Sequence, residues 1–234
     1  MNHHQNHYTE PSPLSRAGYR LVYDPLRSRY LHRLVASLEL TGAERVLDFG
    51  SGAGSEALHL ARALDQGGRL TCLDVSPVWL AEARRRLRRR ANVEFLLGQA
   101  PAIALPAAAY DLILAHFVLH DVDRSALPAT LEALARSLRP GGRFVVVEPG
   151  GPEGSSGGLV PPHRRLGADE LRSVMAAAGL FEQSSQPVRP PFGSALQTVF
   201  LKAAVESGSD RGKSPRPEQM TFSVVPGRRG PCPG

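Results

Sequence analysis

The sequence predicts an α/β fold, a mostly parallel twisted sheet with helices on both faces, and three observations lead there. Short apolar, β-rich runs alternate with amphipathic helical segments; a glycine-dense turn follows the first run; and the pattern closes on two strand-like runs separated by a short loop. Alternation with intervening helices is the mark of parallel strands, because a parallel neighbour is reached only through a crossover.

The runs Arg45 to Phe49, Arg69 to Val75, Val93 to Leu97, Tyr110 to His116 and Arg143 to Glu148 are the predicted parallel strands. A helix from Ser55 offers Ala57, Leu60, Ala61 and Leu64 as its buried stripe. Ser76 and Pro77 supply an N-cap and a first-turn proline for the next helix. Leu127, Leu131, Leu134 and Leu138 make a further stripe, which Pro140-Gly141-Gly142 should end. Leu171, Val174, Met175 and Ala178 make another, stopped by Gly179. The runs Phe181 to Val188 and Leu196 to Lys202, joined by RPPFGS, predict an antiparallel hairpin added to the sheet. Before the first strand, Leu26 to Leu38 predicts a helix over the sheet edge or over a ligand.

Of the 234 residues, 42% are hydrophobic, enough for one well-buried core. The expected division is an N-terminal segment over 1–40, a central domain over 41–203 and a disordered tail over 204–234. Ten of the last 28 residues are Gly or Pro, which motivates that tail. His3, His4 and His7 fall in a polar start and receive no function. No apolar run approaches the roughly 20 residues of a membrane span, and the start MNHHQNHYTEPSP lacks a secretory core, so the expected location is cytoplasmic. Cys72 and Cys232 are the only cysteines, which suggests neither a disulfide framework nor a thiolate metal site.

The stretch VLDFGSGAG, 46 to 54, carries the chemistry. A dinucleotide turn would read G-x-G-x-x-G, whereas here Gly50, Gly52 and Gly54 alternate and Asp48 precedes them by two. A carboxylate there would repel a pyrophosphate and attract an ammonium or other cation. Asp74, 22 residues after Gly52, stands where an acidic side chain accepts ribose hydroxyls; its other reading is a cap for the helix opening at Ser76. A nucleoside with a cationic amino-acid end satisfies both carboxylates.

With VLDFGSGAG, LDVSPVWLAEA at 73 to 83 and SLRPGGRFVVVEP at 137 to 149, the sequence resembles the class I S-adenosylmethionine-dependent methyltransferases from Arg45 to Lys202. The resemblance implies a Rossmann-like sheet of seven strands with an antiparallel last strand, and S-adenosylmethionine as cofactor. It implies that Gly50, Ser51, Gly52 and Gly54 cradle the methionine and ribose portions, with Asp48 near the sulfonium and amino end. Asp74 would hold the ribose, Val75 would pack on adenine, and the loop containing Gln99 and Ala100 would meet the adenine amino group. The family often has Asp where this chain has Gln99, whose amide oxygen still accepts a hydrogen bond.

HFVLHDVD, 116 to 123, leaves the fourth strand toward the same crevice. His116 and His120 are the candidate general bases for an acceptor that must lose a proton, and the resemblance also allows His116 to contribute only its carbonyl to the methionine amino group. No spacing fixes a third ligand beside them and Asp121 or Glu148, so no metal site is assigned. Tyr19, Tyr23 and Tyr30, the loop PGGPEGSSGGLVPP at 149 to 162, and RPPFGS are the candidate acceptor-facing pieces. The expected acceptor is a small molecule, methylated on oxygen, carbon or nitrogen.

The net charge of +6 is concentrated in ARRRLRRR, 83 to 90, which reads as a solvated helix face or as a surface for RNA or anionic lipid. AHFVLHD replaces the Asn- or Asp-Pro-Pro-aromatic element of amino-methylating enzymes that act on nucleic acid, which argues against that substrate. Two alternatives stay open: a nicotinamide-dependent oxidoreductase on the same glycines, and a non-catalytic module that binds RNA or membrane through its arginines. The sequence sets no oligomeric state.

Overall fold

The computed structural model describes residues 11–19, 21, 24–150, 165–191 and 193–204. Tyr23, Phe192, residues 151–162 of the glycine-rich loop, His3, His4, His7 and the tail lie outside the described residues. Two short helices, α1 (Pro13–Gly18) and α2 (Asp24–Ser37), precede β1 (Arg45–Phe49). Then come α3 (Ser55–Ala63), β2 (Arg69–Asp74), α4 (Pro77–Leu87), β3 (Val93–Leu97), β4 (Tyr110–His116), α5 (Leu127–Ser137), β5 (Leu138–Pro149), α6 (Ala168–Ala177), β6 (Leu180–Val188) and β7 (Ala195–Lys202).

The seven strands form one sheet in the order β3-β2-β1-β4-β5-β7-β6. All pairings are parallel except those of β7, which runs antiparallel between β5 and β6. The chain winds outward from β1 to β3 and then returns to β4 on the other side. The crevice opened by that reversal lies beyond the carboxyl ends of β1 and β4.

The two-residue period of β1 sorts its side chains. Leu47 and Phe49 join the core under α5 and α6, whereas Val46 joins the core under α3 and α4. Asp48 therefore points to the α3 side, among buried apolar residues. On α4, Ser76 accepts the Trp79 amide at 3.2 Å and Pro77 opens the helix, as its sequence predicts.

One expected boundary shifts. The fifth strand was expected from Arg143, after Pro140-Gly141-Gly142 had ended the helix, but α5 already stops at Ser137 and β5 begins at Leu138. Leu138 pairs with Tyr110, and an irregularity then carries the strand through the glycines. The Lys202 ammonium donates to the Ala135 and Leu138 carbonyls at 2.7 and 2.6 Å, satisfying the helix end that proline was expected to terminate.

Candidate active site

The glycine turn is built from three positive-φ residues with different neighbours. A Cβ on Gly50 would lie 2.4 Å from Val118 Cγ2, and one on Gly54 would lie 3.0 Å from the Ala83 Cβ of α4. Gly52 has no neighbour within 4 Å of that position. The space a Cβ would need is therefore open at Gly52, whereas at Gly50 it is taken by the loop after β4 and at Gly54 by α4. The Gly50 and Ser51 amides donate to Leu73 O at 2.8 and 3.1 Å, locking the turn to β2.

Asp74 closes the turn from the other side. Its Oδ2 accepts the Gly52 amide at 2.7 Å and its Oδ1 accepts the Ser76 amide at 2.8 Å. The helix cap is the Ser76 hydroxyl, so Asp74 is an organiser of the turn in addition to whatever it offers a ligand. Burial raises its pKa, against the lowering influence of those amides. Each carboxylate oxygen has two lone pairs, which leaves acceptor capacity for a diol.

Beside it lies an apolar floor. Val75 and Leu97, at the ends of neighbouring strands, are 49% and 51% exposed, among the few large apolar side chains in that condition. Gly98 donates to Asp74 O at 3.0 Å and brings the following loop alongside. In that loop Gln99 is exposed, while Ala100 is buried and its carbonyl accepts the Thr130 hydroxyl at 3.0 Å. A flat heterocycle over Val75 and Leu97 would remove both from water, at roughly 25 cal/mol per Å² of apolar surface.

Asp48 is the anomaly of the site. It is 2% exposed, and its Oδ2 has no hydrogen-bond partner. Burial, then the charges of Glu56 and Asp74, push its pKa well above the usual carboxylate range. A buried carboxylate oxygen without a donor costs several kcal/mol as an anion, so the position calls for a proton or a cation. Ser51, next in the turn, is also buried.

Glu56, which the sequence reading did not single out, has the opposite surroundings. Burial alone would raise its pKa, yet the Arg27 guanidinium at 2.6 Å and His116 at 2.5 Å hold its carboxyl well below the usual range. Arg27 comes from α2 and also donates to the Tyr19 hydroxyl at 2.9 Å. A second tie joins α2 to the same helix start: Ser55 donates to Asp24 Oδ1 at 2.5 Å, and Arg86 of α4 pairs with Asp24. The N-terminal helices are thereby fastened to the first two residues of α3.

The two histidines after β4 are held differently. His116 is buried, with Nδ1 on Glu56 and Nε2 3.0 Å from the Tyr30 hydroxyl, so both ring nitrogens have protein partners. Burial lowers its pKa, against Glu56, which raises it. His120 places Nδ1 2.6 Å from Glu148 Oε2, while its Nε2 lies 3.6 Å from Asp121 Oδ1, outside hydrogen-bond range. Glu148 Oε1 accepts the Val118 and Leu119 amides at 3.0 and 2.7 Å, fixing the turn that carries His120. The histidines therefore address different carboxylates, and among the described residues no group of three or more His, Cys, Asp or Glu converges as a metal site.

Residues 46–142 match the family model described as a methyltransferase domain. A ubiquinone/menaquinone biosynthesis C-methyltransferase of Azotobacter vinelandii is 34% identical over 140 residues, which are 56% of this chain and 54% of that protein. The chain thus spans about half the length of the curated relatives it matches. A Burkholderia thailandensis 1,6-didemethyltoxoflavin-N1-methyltransferase, crystallised with its substrate and S-adenosylhomocysteine, aligns with TM-score 0.60 and 25% identity over 80% of this chain and 85% of that one. An S-adenosylmethionine-dependent methyltransferase from Aquifex aeolicus aligns with TM-score 0.61 and 20% identity over 73% of this chain and 89% of that one.

Proposed function

We propose, from the premise that this chain carries a methyltransferase domain of the class I S-adenosylmethionine-dependent fold, that it transfers the cofactor methyl to a small-molecule acceptor. The observation that carries the reading is the buried Asp48 oxygen without a donor, beside Glu56 and Asp74. Such a site accommodates a cationic amino-acid end and disfavours a pyrophosphate, so nothing here favours the nicotinamide alternative.

In this reading Asp48 neutralises the cationic end, and the Gly50-Ser51-Gly52 turn and Gly54 shape the space beside it. Asp74 accepts the ribose hydroxyls, Val75 packs on the base, and Gln99 and Ala100 border it. S-adenosylmethionine supplies an already activated sulfonium methyl, so the protein's task is alignment of the acceptor, worth roughly 7–11 kcal/mol in favourable cases.

His120 is the proposed general base. Glu148 accepts a hydrogen bond from the Nδ1–H, which keeps that proton on Nδ1 and leaves Nε2 with the lone pair that receives a proton from an acceptor hydroxyl, amine or acidic carbon. His116 is the less suited of the two candidates, since Glu56 and Tyr30 already occupy its nitrogens; its role here is to join α2 to β4. A cytoplasmic enzyme is part of this reading, and no described helix is long and apolar enough to cross a membrane.

The relatives' names set the acceptor class only broadly, as quinone-like or heterocyclic. Incubating the purified chain with methyl-labelled cofactor and a small-molecule cell extract tests the function. A labelled low-molecular-weight product supports it, and cofactor binding without any labelled product contradicts it.

A further inference from the structure

The arginine run resolves into residues with protein partners and two without. Arg84 stacks over the Phe95 ring at 5.2 Å, Arg85 pairs with Glu82, Arg86 pairs with Asp24, and Arg88 donates to the Arg85 carbonyl at 3.2 Å. Among the described residues, the Arg89 and Arg90 side chains have neither an ion pair nor a hydrogen bond. Both line a recess of about 300 Å³, together with Arg69, Asp65 and the Gly67-Gly68 turn.

This recess is framed where β2 and β3 begin, at the opposite end of the strands from the cofactor crevice. Its wall is fixed: the Asn92 amide donates to the Ala61 and Leu64 carbonyls at 3.2 and 2.8 Å, joining the approach to β3 to the end of α3. Arg69 Nη1 donates to the Ala91 carbonyl at 3.4 Å; helix ends favour nearby cations, but that preference does not require three arginines along one hollow. Among the described residues none of the three arginines has an ion pair, and a guanidinium without a carboxylate partner offers a forked donor suited to phosphate oxygens. Asp65, the acidic residue on the rim, is an acceptor for hydroxyls. The hollow is open to solvent, and its size admits a monomeric ligand rather than a stretch of polymer.

We infer that the Arg69, Arg89 and Arg90 recess is a second ligand site, for a small phosphorylated polyol such as a sugar phosphate. Arginine forks hold the phosphate and Asp65 takes the hydroxyls. The site is separate from the methyl-transfer crevice and does not depend on the function proposed for that crevice.

Calorimetry on the full chain with ribose 5-phosphate and inorganic pyrophosphate as probes, and sedimentation with phosphatidylglycerol vesicles, tests this. Ribose 5-phosphate is expected to bind with a sub-millimolar Kd. The Arg89→Ala/Arg90→Ala double variant should weaken it at least about tenfold and leave S-adenosylmethionine binding unchanged. Asp65→Asn should weaken ribose 5-phosphate more than pyrophosphate. No binding of either soluble probe at millimolar concentration, binding that the double variant leaves intact, or binding to vesicles alone would overturn the inference.

Discussion

The Gly52 amide donates to Asp74 Oδ2 at 2.7 Å, across 22 residues of chain, so the glycine turn and the end of β2 form one unit. The consequence is that Gly52 and Gly50 should fail differently when substituted. Gly52→Ala meets open space at φ +51, costs about 1–2 kcal/mol of left-handed strain, and projects a methyl toward the proposed ligand volume. Thermal melts should show a folded protein with weakened cofactor binding. Gly50→Ala drives a Cβ to 2.4 Å from Val118 Cγ2 and should lower the melting temperature as well.

Asp74→Ala removes the acceptor from both the Gly52 and Ser76 amides. Hydrogen bonds to a charged acceptor are worth about 1.5–3 kcal/mol each, so cofactor affinity should fall at least about tenfold. An unchanged Kd by calorimetry removes Asp74 from the ribose contact.

Asp48 predicts a proton signature. Its pKa is raised in the folded, ligand-free state, so the ligand-free protein loses stability as pH rises from the ordinary carboxylate range through the raised value. A cation bound beside Asp48 favours its ionised form, so the cofactor's stabilising effect should grow over that same rise. Titrations in buffers of different ionisation heat should register proton release, and Asp48→Asn should abolish it.

Glu56 gives the opposite limb. Its pKa is depressed, so its contribution is complete above the ordinary glutamate range and is lost as pH falls toward the depressed value. Glu56→Gln leaves Arg27 buried beside an uncharged amide and should cost about 3–5 kcal/mol at neutral pH, with a shallower acid limb in pH-dependent unfolding.

His120→Ala should leave cofactor affinity within about twofold and lower turnover by roughly 10² to 10⁴ on the acceptor found by methyl labelling. His116→Asn should instead act mainly on melting temperature, through the Glu56 and Tyr30 contacts. Equal losses of turnover with no change of melting temperature would remove the distinction between them.

The strands were legible because buried parallel strands are written as continuous apolar runs, and Asp48 and Asp74 because each stands at a fixed offset from a local glycine motif. What the sequence hid is tertiary. Arg27 meets Glu56 across 29 residues, Glu56 meets His116 across 60, and Glu148 meets His120 across 28, with no local spacing to announce any of them. Glu56 was readable only as an acidic residue in a first helical turn. The arginine run was readable only as a solvated helix face or as a surface for an anionic partner, and nothing in its spacing announces that Arg86 reaches Asp24 and ties α2 to α4. The start of β5 was misplaced because Pro140-Gly141-Gly142 signals a stop locally, whereas pairing with β4 and the Lys202 contacts decide the boundary.

Calorimetric titration of the purified chain with S-adenosylmethionine and, separately, with NAD tests the central electrostatic argument most directly. The account predicts micromolar binding of the sulfonium compound and no binding of the dinucleotide. Tight NAD binding with none of S-adenosylmethionine would contradict it.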